Sequence, residues 1–102
     1  MKITRGTTPT VSLTVTDFEI KDTDKIHLYF SQGGKMRFKK VSPEVIIDGN
    51  EVRVTLTQED TFKLKKGEEV KIKFRLKADE TVLASGEIFA EVDDVDDEDE
   101  VI

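Results

Sequence analysis

Apolar residues fall at every second position through most of this chain. Val11, Leu13 and Val15 alternate with Ser12, Thr14 and Thr16, and Ile26, Leu28 and Phe30 alternate with His27, Tyr29 and Ser31. A period of two is that of a strand with one face buried, and no helical spacing persists long enough to compete with it. Met36 and Phe38 lead a third run that ends near Lys40 or Val41; Val45 to Ile47 and the set Val52, Val54 and Leu56 follow. The clearest pattern comes last. Val70, Ile72, Phe74, Leu76 and Ala78 share one face of a strand, and Val82, Ala84, Gly86, Ile88, Ala90 and Val92 share one face of the next. With Asp79-Glu80-Thr81 as the loop, this hairpin sets Ala78 opposite Val82, Leu76 opposite Ala84, Phe74 opposite Gly86, Ile72 opposite Ile88 and Val70 opposite Ala90. Apolar partners then meet on one side, while Lys73 meets Glu87 on the other.

Turn chemistry separates the runs. Gly33-Gly34 and Asp48-Gly49 accept the positive φ of tight hairpin turns, and Gly67 sits in a polar Lys-Lys-Gly-Glu connection. Thr57-Gln58-Glu59-Asp60 reads as a capped helix start, with the Thr57 hydroxyl and the Asp60 carboxylate three positions apart. One helical turn over Gln58 to Phe62 is therefore expected between strands. About seven short strands spaced by turns predict an all-β fold, an immunoglobulin-like antiparallel β-sandwich, with a small β-barrel as the alternative. The cysteine pair and core tryptophan of antibody domains are absent.

At 102 residues the chain has the length of one domain. It has no cysteine and one histidine, which leaves little to build a disulfide framework or a zinc site. The first residues, Met1 to Gly6, hold no apolar run of the kind that export signals or membrane spans use. The net charge of −6 is unevenly placed: seven of the 22 acids lie between Asp93 and Glu100, leaving 15 against all 16 bases in residues 1–92. A near-neutral domain over 1–92 and an acidic, flexible tail over 93–102 are expected.

Few residues offer chemistry. His27 alternates with core-facing Ile26 and Leu28, so it is expected to face solvent as an ordinary strand residue rather than to serve a nucleophile. Paired carboxylates such as Glu68-Glu69 are common on any surface, and pattern alone shows no apolar pocket that would tune one. Gly33-Gly34 precedes a strand and not a helix that could hold a phosphate. The Asp93 to Asp99 run lacks the sixth-position glycine of a calcium loop and its closing glutamate. The expectation is a protein that is not an enzyme and that uses no cofactor and no metal.

Two basic stripes stand out. Lys71, Lys73, Arg75 and Lys77 fall on the outward side of one strand, and Lys35, Arg37 and Lys39 repeat the theme on another. One reading is a binding face for an anionic partner such as nucleic acid, a surface polymer or an acidic protein. Another is that lysines guard exposed strands against unwanted pairing, which the lack of interleaved aromatics favours over nucleic-acid binding. A third has the acidic tail screening the stripes within one molecule.

Four stretches carry a resemblance. Arg5-Gly6-Thr7-Thr8-Pro9-Thr10, the run from Val54 to Thr61, Leu83-Ala84-Ser85 and Glu100-Val101-Ile102 resemble small proteins encoded among the virion genes of phages and prophages of Gram-positive bacteria. The similarity covers nearly the whole chain and is more distantly like the N-terminal domain of phage baseplate upper proteins. The resemblance implies a β-sandwich with a structural or assembly role in a tail or baseplate. It further implies contacts with other phage structural proteins or with itself, no membrane, residence in the bacterial cytoplasm during assembly, and a place in the virion. Its motifs contain no catalytic residue. The alternative function is a ligand-binding module for carbohydrate or another anionic surface polymer, for which Tyr29 and Phe89 are the outward aromatics.

Overall fold

A computed structural model describes residues 1–16, 19–21, 24–84, 87–97 and 99–102. Alternation becomes two packed sheets. Strands β1 (Lys2–Thr4), β2 (Thr10–Thr14), β3 (Lys25–Gln32), β4 (Lys35–Val41), β5 (Ile46–Asp48) and β6 (Glu51–Thr55) precede helix α1 (Gln58–Phe62). Strands β7 (Val70–Ala78), β8 (Thr81–Ala84) and β9 (Ile88–Asp93) complete the order. The larger sheet runs β1-β9-β7-β3-β4, with β8 also on β7, and the smaller runs β2-β6-β5. All pairs are antiparallel except β1 with β9. The fold is an all-β sandwich, and its sheets do not close into a barrel.

The alternating residues supply the core. Ile26, Leu28 and Phe30 of β3 and Val70, Ile72, Phe74 and Leu76 of β7 face Val11, Leu13, Val52, Val54 and Leu56 of the smaller sheet and its margins, all buried. Burying a side chain of this kind stabilises by about 1.5–3 kcal/mol each before chain entropy is charged. Phe38 stacks on Phe30 with ring centroids 4.5 Å apart.

Helix α1 forms where the capping pattern places it. Thr57 Oγ1 accepts from the Asp60 N–H at 3.0 Å, and the Asp60 carboxylate accepts from the Thr57 N–H at 2.9 Å. The same carboxylate lies 2.6 Å from Lys40 Nζ of β4, and both side chains are about nine-tenths shielded from solvent. The short helix is thereby tied to the far sheet by its own cap. Burial opposes ionisation of Asp60, but the bonds from Lys40 and Thr57 outweigh it and hold the carboxyl below its ordinary value. Burial likewise opposes the charge on Lys40, and its bonds to Asp60 and Glu44 overcome this and raise it.

Three expectations on register are corrected. The last hairpin has a two-residue loop, Asp79-Glu80, so Ala78 pairs with Thr81, Leu76 with Leu83 and Arg75 with Ala84. Lower down, Val70 pairs with Ala90 and Ile72 with Ile88 as the alternation predicts. The strand therefore gains one residue between β8 and β9, and a one-residue slip turns side chains to the opposite face. Val82 and Ala84 point outward, Val82 at 57% exposure, while Leu83 turns inward. The predicted Phe74 to Gly86 pairing lies outside the described residues. The pair expected between Lys73 and Glu87 is instead Lys71 with Glu87, 3.6 Å apart. Asp79 takes the loop's positive φ of 55°. A second irregularity follows Phe30: Phe30 pairs with Phe38 but Ser31 with Met36, so Met36 turns outward at 53% exposure.

Gln32, at the end of β3, is buried. Its amide donates to Lys65 O at 2.9 Å and Glu68 O at 3.1 Å and accepts from the Lys65 N–H at 2.9 Å, fixing the connection that carries Gly67.

Candidate functional site

The outward face of the larger sheet is built from the positions between the core residues. Pairing of β3 with β7 sets Lys25 beside Lys77, His27 beside Arg75, Tyr29 beside Lys73 and Ser31 beside Lys71. On the other flank of β3, Tyr29 pairs with Lys39. Alternate residues of a strand are about 6.6 Å apart and adjacent strands about 4.8 Å, so these cations form a compact array and not a single file. Like charges directly opposite, such as Lys25 and Lys77, repel and lower stability.

The first basic stripe is thus assembled as expected, with Lys71, Lys73, Arg75 and Lys77 on one face. The second is not. The irregularity after Phe30 sets Lys35 opposite the buried Gln32, and Arg37 falls within it with its Nε buried and unbonded among the described residues. Of that stripe, Lys39 alone joins the β7 cations beside Tyr29.

Aromatic groups do interleave with the cations, contrary to the reading from alternation. The Arg75 Nε donates to Tyr29 Oη at 2.7 Å, its guanidinium lies 5.3 Å from the ring centroid, and His27 meets Tyr29 edge-on at 6.2 Å. His27 is half-buried on this outward face. Lys25, His27, Tyr29, Arg75, Lys77 and the outturned Val82 line a shallow groove of about 220 Å³. Lys25 and Val82 were not singled out in the sequence as parts of this face, and His27 was expected there only as an ordinary solvent-facing strand residue. Their place depends on which strand lies beside β7 and on the extra residue after β8, neither of which periodicity encodes. Phe89 lies 49% exposed opposite Lys71, two strands from Tyr29 and offset by two residues. That offset is about 12 Å by strand geometry, so the two outward aromatics do not form one platform.

The acidic segment lies elsewhere. Asp93 closes β9 and sits 3.3 Å from Lys2; Asp94 reaches Arg5 at 2.6 Å and Lys66 at 3.6 Å. A bond from the Val95 N–H, then the Arg5 guanidinium, hold the Asp94 carboxyl below its ordinary value. Val101 exchanges two bonds with the Gln58 amide, at 2.7 and 2.9 Å, and Asp99 and Glu100 border an open recess with Arg5, Glu59, Phe62 and Lys63. Asp93 and Asp94 pair with Lys2, Arg5 and Lys66 and not with the stripe on β7. Screening of the stripe by the molecule's own tail is therefore not what the fold builds.

The Arg5 to Thr10 and Val54 to Thr61 segments meet beside α1. The Gly6 N–H donates to Thr61 Oγ1 at 2.9 Å, the Thr61 hydroxyl lies within bonding reach of Thr7 O at 3.1 Å, and Arg5 stacks on Phe62 at 5.4 Å. Their groups hold the entering chain in place. Among the described residues no three histidine, cysteine or acidic side chains converge as a metal site would need, and no helix is long and apolar enough to cross a membrane. No protein-family model matches the chain, and no curated protein matches it.

Proposed function

We propose that this is a non-enzymatic structural or assembly protein of a phage or prophage tail or baseplate, acting through contacts with other structural proteins. Its sites of action would be the bacterial cytoplasm during assembly and then the virion. The observation that carries the reading is the outward face of the larger sheet. It is broad, cationic and dotted with exposed Val82, Phe89 and Met36. The groove beside Arg75, at about 220 Å³, is smaller than the ~300–1,000 Å³ typical of sites that enclose a small molecule. Such a face suits a partner laid across it. The sequence resemblance described above supplies the setting. Mass spectrometry of purified particles from a strain carrying the gene tests it: the protein co-purifies in fixed ratio with the tail components. Consistent absence from both particles and tail intermediates would overturn the proposal.

A second reading, a module for an anionic surface polymer, is favoured by Tyr29 and Arg75 sharing one cationic groove. It requires that replacing Lys73, Arg75 and Lys77 by glutamate abolish retention on an immobilised sulfated polysaccharide, and that retention fall steeply with salt.

A further inference from the structure

The cationic groove needs an anionic occupant, and the chain contains one. Arg75 is flanked by His27 and Ala84, and Lys77 by Lys25 and Val82, so at this end of β7 the paired neighbours offer no carboxylate. A carboxylate-bearing strand laid over the face would present alternate side chains about 6.6 Å apart, the spacing at which Lys73, Arg75 and Lys77 follow one another. Residues Asp96, Asp97, Asp99 and Glu100 are exposed acids in one short run.

Geometry excludes the molecule's own tail. The Gly67 N–H bonds to Val92 O, which places the exit of β9 level with the residues that precede β7. Arg75 lies eight positions further along, about 26 Å away at strand spacing. With Asp94 held by Arg5 and Lys66, the six residues from 95 to 100 span at most about 22 Å fully extended. The tail falls short, and it leaves in the wrong direction.

We infer that the groove of Lys25, His27, Tyr29, Arg75 and Lys77 binds the acidic segment 96–100 of a second copy of this chain. The contact joins one copy's face to another's tail. Exchanged reciprocally it closes a two-fold dimer, and left unreciprocated it is heterologous and builds a ring or an open chain. This names the partner for the contact surface proposed above and in that sense rests on that reading, but its test is separate from particle composition.

The experiment is sedimentation of the full chain in low salt and in about 1 M salt, where the screening length falls to about 3 Å. Self-association is expected in low salt and loss of it in high salt. Two variants divide the contact: Arg75→Glu with Lys77→Glu on the face, and Asp96→Asn, Asp97→Asn, Asp99→Asn with Glu100→Gln on the tail. Each should weaken self-association by about tenfold or more. Mixed together, they should form a one-to-one complex, because the first retains its tail and the second its face. Circular dichroism confirms that both variants fold. A wild-type chain that stays monomeric in low salt would overturn the inference, as would variants that associate like wild type or that fail to combine. So would a face variant whose only change is weaker retention on a sulfated polysaccharide or an oligonucleotide. Particle mass spectrometry could fail while this contact stands, and the reverse.

Discussion

Replacing Asp60 by alanine should destabilise the fold by about 2–3 kcal/mol, more than its place in a five-residue helix suggests. Two losses contribute. The carboxylate accepts the Thr57 N–H at 2.9 Å, and loss of a cap partner costs about 1 kcal/mol. It also neutralises Lys40 at 2.6 Å, where the ammonium is only 11% exposed. Removing one member of a fully buried pair costs ~3–5 kcal/mol. Here Glu44 remains at 3.1 Å as a second, mostly exposed partner, which reduces the loss to about 1–2 kcal/mol. Lys40→Met should cost under ~1 kcal/mol, since the stem's contacts persist and Asp60 keeps Thr57.

The pH dependence has a fixed sign. Asp60 is depressed in the folded state, so its contribution is present above its unfolded value of about 3.9 and is lost as pH falls through the lower folded value. Lys40 is raised, so its contribution is complete below about 10.4 and is lost as pH rises through the higher folded value. Urea unfolding of wild type and Asp60→Ala should show a midpoint difference of about 1.5–2 M at neutral pH with unchanged slope. That difference should narrow toward about pH 2. A loss below about 0.5 kcal/mol, a pH-independent difference, or a Lys40→Met cost equal to that of Asp60→Ala would refute the reasoning.

Gly6 carries φ +76°, and a Cβ there would stand 2.7 Å from Phe62 Cζ, so Gly6→Ala should cost about 1–2 kcal/mol by thermal unfolding, with part of it recovered by Phe62→Leu. Gln32→Ala removes three bonds to the 65–68 connection and should cost about 2–3 kcal/mol, with faster hydrogen exchange at the Lys65 amide. Asp79→Ala should lose about 1 kcal/mol at its φ of 55°, whereas Asp79→Gly should be neutral or stabilising; equal effects of the two would refute the turn assignment.

Much of the fold was legible because burial alternates along each strand. Ile26, Leu28, Phe30, Val52, Val54, Val70, Ile72, Phe74 and Leu76 are inside as their parity predicts, and Thr57 with Asp60 announced α1. What escaped are departures from parity. Nothing in Met36-Arg37-Phe38 or in the stretch after Ala84 marks an extra residue, yet those two places turned Met36, Val82 and Lys35 to new positions. Strand neighbours escaped too, since β1 joins a sheet by pairing with a segment almost ninety residues away. The candidate groove inherits both difficulties: Arg75 and Lys77 were visible as a stripe, but Lys25, His27 and Val82 reach it only through topology. The pairing of Lys40 with Asp60 is hidden for a similar reason, because a lysine in a strand resembles any solvated lysine until the partner is brought to it.

The parallel pairing of β1 with β9 bears on how the protein responds to force. Tension that enters before Lys2 and leaves after Asp93 pulls these two strands in opposite directions along their length. The bonds between them, with Arg5 N–H to Asp93 O and Glu91 N–H to Met1 O beside them, are then loaded together in shear and not opened one at a time. A domain strung between neighbours in that way would act as a stiff link that holds until the whole set ruptures, a property that single-molecule stretching reads as one high, abrupt unfolding force.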